Sequence, residues 1–302
     1  MKALVTGVNG QLGKALLATR PEGWDCVALD RATLDLADAD AIARLVDSEQ
    51  PDLVLNAGAY TAVDRAESEP ELAMAVNGTA PGAFAKALAG SGKRLVQVST
   101  DFVFDGASGR GYRPDDARNP QSVYGASKAA GEDAAGPDAI IVRTSWVYAA
   151  GGANFVRTML RLMRERETLS VVADQIGSPT WATGLAQTLW GLAGKDQPGI
   201  YHHRDAGVAS WYDFAVAIAE EAQALGLLDR IPAIVPIATS DYPTPAKRPS
   251  FSVMDVSATR KLLGDLAAAE AGHTRKAEGA ADKHLNEEAV ADEDATRRRQ
   301  FI

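Results

Sequence analysis

Lys2-Ala-Leu-Val-Thr6-Gly7-Val-Asn9-Gly10-Gln11-Leu12-Gly13 opens the chain, and its reading decides the fold. A short apolar run has the look of a buried parallel strand. Three glycines spaced G-x-x-G-x-x-G follow at once, and Gln11 to Ala18 has a helical pattern. Glycines at such a junction permit a tight turn and let a pyrophosphate reach backbone amides at a helix N-terminus. A glycine triplet alone is weak evidence; directly after a first strand, in a strand–helix–strand unit, it predicts a dinucleotide site. The bland alternative is a glycine-rich turn that holds nothing.

The rhythm continues outward from that turn. Strands are expected at Trp24 to Asp30, Leu53 to Asn56, Arg94 to Ser99 and Ala139 to Arg143. Between them Asp38 to Ser48 is amphipathic, and Pro70 to Ser91 is helical with a break near Asn77. This alternation predicts an α/β fold: a doubly wound parallel sheet of the Rossmann kind, with a smaller C-terminal α/β substrate domain. The dinucleotide domain is expected over 1–147, with about 173–206 returning to it. About 148–172 and 207–265 would form the substrate domain. Within these, Trp211 to Leu225 reads as a helix capped by Ser210, and the proline-rich run Asp241 to Pro249 as a loop rimming a pocket. About 266–302 is a polar tail of uncertain structure.

Composition sets bounds. The chain has 302 residues, 46% hydrophobic and 24% charged, with net charge -9. That acidity argues against nucleic acid or an anionic membrane as partner. No apolar run approaches the ~18 residues of a membrane span. The start reads as a strand rather than a signal peptide, so the cytoplasm is the expected compartment. The single cysteine, Cys26, reads as a buried strand thiol. His202 and His203 are adjacent on a strand and face opposite sides; His273 and His284 lie in the tail. None has ligand spacing, so no protein-defined metal site is expected.

Site candidates cluster where strands end. Asp30 ends the second strand, where an acid can bind ribose hydroxyls and favour NAD; Arg31 beside it can meet a 2′-phosphate, so NADH and NADPH both stay open. Asp35 and Leu36 flank the adenine position. Ala57, Ala59, Tyr60 and Thr61 follow the third strand. Thr100, Asp101 and Phe102 follow the fourth, where a hydroxyl can polarise a carbonyl. Tyr124-Gly-Ala-Ser-Lys128 places phenol and ammonium on one helix face. A cation beside a phenol favours the phenolate, which would tune Tyr124 for proton transfer near neutral pH.

These runs resemble the extended short-chain dehydrogenase/reductase superfamily, and within it the dTDP-4-dehydrorhamnose reductases. The resemblance extends through Asn56 to Glu69, Arg143 to Tyr148, Asn154-Phe155, Asp174 to Pro179 and Tyr242 to Pro249, covering 1 to about 260 in order. It implies reduction of the 4-keto group of dTDP-4-dehydro-L-rhamnose with NADPH or NADH. Thr100, Tyr124 and Lys128 would be catalytic, and Lys128 would also hold the nicotinamide ribose. Asp101, Phe102, Trp146, Asn154 and Arg248 would face the sugar nucleotide. The protein would be a monomer or homodimer, and some relatives carry Mg2+ on glutamates, for which no ligand set is assigned here. Asp101 is followed by Phe102 rather than a second acid, so the elimination base of the sugar-nucleotide dehydratases is missing. Phe251 stands where the family's loop continues with asparagine, and no tryptophan- and leucine-patterned terminal helix follows Leu263. A reductase of another 4-keto sugar nucleotide and a non-catalytic regulatory subunit of the same fold are the alternatives.

Overall fold

The computed structural model describes residues 1–264. The tail at 266–302, with His273 and His284, lies outside the described residues. Six parallel strands form the central sheet: β1 (Lys2–Thr6), β2 (Asp25–Leu29), β3 (Leu53–Asn56), β4 (Arg94–Thr100), β5 (Ile140–Thr144) and β10 (Gly199–His202). Their order is β10-β5-β4-β3-β1-β2. The order reverses between β1 and β3, where a crevice opens at the strands' carboxyl ends. Helices α1 (Gln11–Ala18), α2 (Ala39–Glu49), α5 (Ala80–Leu88) and α6 (Val123–Ala135) cover the sheet together with α8 (Ala182–Lys195). β3 and β5 are buried along their whole length, as strands covered on both faces must be.

Two apolar clusters, one per face, hold the sheet. One joins Leu16 of α1 to Leu185 and Leu189 of α8. The other joins Ile42 and Val46 of α2 to Phe84 of α5. Cys26 is only partly buried on β2, not enclosed as expected, because β2 is the sheet's edge strand. The break near Asn77 is a π turn at Ala75–Thr79, between α4 (Pro70–Met74) and α5. Such insertions concentrate at functional positions.

A second set of elements builds its own apolar cluster. β7 (Thr168–Val172) pairs in parallel with β12 (Ala233–Ile237), and helices α7 (Phe155–Glu165) and α9 (Trp211–Ala224) pack beside them. Met159, Met163, Leu169 and Ile218 fill that cluster. Ser210 caps α9 through a reciprocal box with Asp213, a device that stabilises by about 1 kcal/mol. β12 and α10 (Ser257–Leu263) escape the sequence pattern. β12 is mostly exposed and carries Pro236, which suits an edge strand. α10 is only seven residues long.

Candidate active site

The glycine turn sits at the sheet's reversal. Gly7 has φ of +69°, and a Cβ there would meet the Gly58 backbone. A Cβ on Gly13 would run into the Gly7 carbonyl and the Val8 Cα. The turn therefore closes only with glycines, and Gly10 leads into α1 as its N-cap. Beneath it a buried polar ladder crosses three strands. Thr6 donates to Asn56 (2.7 Å), and Asn56 donates to Gln97 (2.7 Å). The Gly58 N–H donates to Thr6 (2.9 Å), which ties the β1 and β3 turns together.

A pocket beside the turn gathers Gly7, Asp30, Arg31, Asp35, Leu36, Ala59 and Tyr60 from the expected set. Leu72 and Val76 also line it. Sequence reading missed both, although the break near Asn77 marks the turn that brings them in. Asp30 is held by the Ala32 and Thr33 N–H groups and the Thr33 hydroxyl, and Asn9 donates to it at 3.2 Å. These bonds keep its carboxyl below the usual range, the Thr33 backbone contributing most. Tyr60 donates to Glu69 (2.6 Å). Gln11 donates to the Val147 carbonyl, Leu12 packs on the core, Ala57 does likewise, and Thr61 is exposed at the loop. A glycine cradle with no room for a Cβ, next to an acid at the end of β2, fits a dinucleotide.

The expected catalytic residues lie where β4 meets α6. Ser122 caps α6, so Tyr124 stands in its first turn and Lys128 one turn on. Thr100 lies beside the Tyr124 phenol and acts to lower its pKa. Thr100 in turn donates to Asp101 Oδ1 (3.0 Å) and accepts from the Phe102 N–H (3.2 Å). The Phe102 ring stands edge-on to Tyr124 at 5.5 Å. Lys128 donates to the Val98 carbonyl (2.6 Å). The expected lowering of the phenol does not occur in this arrangement. Burial pushes Tyr124 up to about 12 and outweighs the neighbouring Thr100 hydroxyl, while the Asp101 charge raises it further. Burial also pulls Lys128 down to about 8, opposed by the charge of Glu132. The lysine faces a carbonyl rather than the phenol, and desolvation dominates both groups.

Glu132 was invisible as a site residue in the sequence. It lies four residues past Lys128 on the same helix and is 4% exposed. Arg143 clasps it through Nε (2.8 Å) and Nη2 (2.7 Å), Ser99 donates to it, and Arg118 reaches it at 3.1 Å. His202 meets Arg143 and the Tyr112 carbonyl on this side of the sheet; His203 meets Thr188 of α8 instead. Burial pulls the two imidazoles down to about 4 and about 3. Asn77, in the π turn, accepts from the Tyr60 N–H and donates to Ser127 on α6, so one side chain spans both halves of the crevice.

The expected sugar-side residues divide. Trp146 has φ of +48°, rare for a bulky residue, and stacks on Trp211 at 3.6 Å. Asn154 is the N-cap of α7 and donates to Gln11 (2.9 Å), locking the second cluster of elements to the glycine turn. Arg248 is engaged bidentately by Asp64 at 3.0 and 2.8 Å. Phe251 bridges to Ile176 and packs beside Phe104 and Met254. Among the described residues no group of three or more His, Cys, Asp or Glu could hold a metal ion, and no helix is long and apolar enough to cross a membrane.

Known proteins are similar to this chain. The family model for the RmlD substrate binding domain matches residues 1–272. A dTDP-4-dehydrorhamnose reductase of Burkholderia thailandensis is 45% identical over 278 residues, covering 87% of this chain and 93% of that protein. One from Aggregatibacter actinomycetemcomitans is 41% identical over 274 residues, with coverage of 87% and 93%. Among solved structures, the Bacillus anthracis dTDP-4-dehydrorhamnose reductase in complex with NADP is 37% identical with a TM-score of 0.81, covering 87% and 92%. With a family model spanning the whole described fold and relatives matched over nearly their full length, this chain belongs to the dTDP-4-dehydrorhamnose reductase family.

Proposed function

We propose that the protein reduces the 4-keto group of dTDP-4-dehydro-L-rhamnose to dTDP-L-rhamnose, using NADPH or NADH. The observation that carries this reading is a phenol, Tyr124, beside Thr100 at the carboxyl end of β4, the same edge of the parallel sheet as the glycine turn after β1. The bound nicotinamide supplies the hydride. Tyr124 gives its Oη proton to the carbonyl oxygen as negative charge develops there. Its raised pKa suits this direction: the phenol stays protonated until an alkoxide, a much stronger base, forms. Thr100 positions the same oxygen. Lys128 Nζ, fixed by Val98, presents a buried positive charge next to that proton transfer and holds the ribose. Asp30 or Arg31 meets the adenine ribose.

The elements around α7, β7, α9 and β12 form the substrate lobe in this reading, with Trp146 as its wall toward the sugar. Arg248 serves there as a loop anchor through Asp64, rather than as a free cation for the diphosphate. The protein acts in the cytoplasm as a monomer or homodimer. Nicotinamide absorbance, followed with dTDP-4-dehydro-L-rhamnose and a panel of other 4-keto sugar nucleotides, tests this. Turnover of dTDP-4-dehydro-L-rhamnose well above the panel supports it. Equal or better turnover of another keto sugar moves the substrate, and no turnover with any substrate refutes it.

A further inference from the structure

We propose that Asp101 is a positioning residue that decides which way the Thr100 hydroxyl donates, and through it whether a substrate carbonyl finds one proton donor or two. The inference rests on the reductase reading above. A hydroxyl has one proton and two lone pairs. Two of these are committed in the structure. The proton goes to Asp101 Oδ1 (3.0 Å) and the Phe102 N–H takes one lone pair (3.2 Å), with the Tyr124 phenol beside them. With Asp101 ionised, Thr100 has no proton left for a ligand. With Asp101 protonated, the acid donates to Thr100 Oγ1, and the Thr100 proton swings free toward the ketone. The Tyr124 phenol donates to the same ketone oxygen. One proton, taken from solvent, separates the two forms, and no bond to carbon changes.

The surroundings favour the neutral form. Asp101 is 2% exposed, and its Oδ2 is buried with no hydrogen-bond partner. A buried carboxylate with an orphaned oxygen is costly. Burial pushes the carboxyl up to about 6, against Ser252 and Thr100, which pull it down. The groups that face it are Thr100 on β4, Tyr124 on α6, the Phe102 backbone and Ser252 beyond the proline-rich loop. Lys128, one turn past Tyr124, is turned to Val98. Ionised Asp101 also raises the Tyr124 phenol, so one deprotonation weakens both donors together.

The test is the pH profile of kcat over about pH 5–7, below the Lys128 titration. The wild type should lose up to about tenfold as the pH rises through about 6. Asp101→Asn, whose amide N–H donates to Thr100 at every pH, should lose that limb, whatever its turnover on the low-pH side, and show a flat profile there. Thr100→Val, with nothing to orient, should be slow and also lack the limb. Difference infrared spectra of the ligand-free protein should show a carboxylic acid C=O band that titrates and disappears in Asp101→Asn. A limb that persists in either variant, or no titrating acid band, overturns the proposal. If the wild type turns over no keto sugar, the reductase reading fails, and the infrared titration still decides whether Asp101 carries the proton.

Discussion

At the adenine end of the crevice a carboxylate is stabilised; at the reaction end the titratable groups are pushed toward their neutral forms. Asp30 sits at the rim, held ionised by backbone and side-chain donors within its own turn. Asp101 and Tyr124 are driven up and Lys128 down, in each case first by burial. A site that grips a soluble cofactor uses local turns and exposed donors. A site that moves a proton needs desolvation, which strengthens every remaining interaction. Asn77 is one of the contacts that join the two ends, yet the titratable groups at each end have their own separate partners.

The contrast breaks most sharply at the reaction end. Tyr124→Phe should lower kcat by about 10²–10⁴-fold while leaving nucleotide affinity close to the wild type, read by turnover and by nucleotide titration. Comparable losses of affinity and rate would mean that the two ends are not separable. Next in size is Glu132→Ala, which strands Arg143 without its carboxylate partner. Breaking a buried pair from one side costs about 3–5 kcal/mol, so denaturant unfolding should show a loss in that range. A change below about 1 kcal/mol would mean that Arg143 had repaired itself through Pro114 and His202.

At the adenine end Gly13→Ala should cost about 1–3 kcal/mol through its clash with the Gly7 carbonyl, and nucleotide affinity should fall with it. Calorimetric titration reads the second effect; unchanged affinity would show that the turn adapts. The smallest effect is expected from Arg248→Ala. Its pair with Asp64 is partly exposed and contributes at most about 1 kcal/mol, and KM for the sugar nucleotide should change by only a few-fold. A rise of about a hundredfold would return Arg248 to the diphosphate and extend the charged character of the adenine end into the substrate side.

Legibility follows the same division. The strand–glycine–helix junction is local: five strand residues, a positive φ at Gly7 and the start of α1 lie within one short stretch, so periodicity and turn chemistry were enough to read it. Asp30, Asp35 and Tyr60 were legible because strand ends mark the crevice. Helical spacing put Tyr124 and Lys128 on one helix, yet not the direction of the Tyr124 shift, because spacing carries no measure of burial. The pairing of Arg248 is not legible in the sequence, because Asp64, 184 residues away in the chain, leaves no trace beside it. Glu132 looked like one more helix acid until Arg143 and Ser99 closed on it.

The amino-acid order by itself determined the alternating architecture, the glycine turn and the residue types at the strand ends, because backbone geometry and side-chain period act over a few neighbouring residues. Only the tertiary structure decided which charges are paired, which are buried, and where the Thr100 proton points. Those depend on groups brought together from distant parts of the chain and on the water that their packing expels.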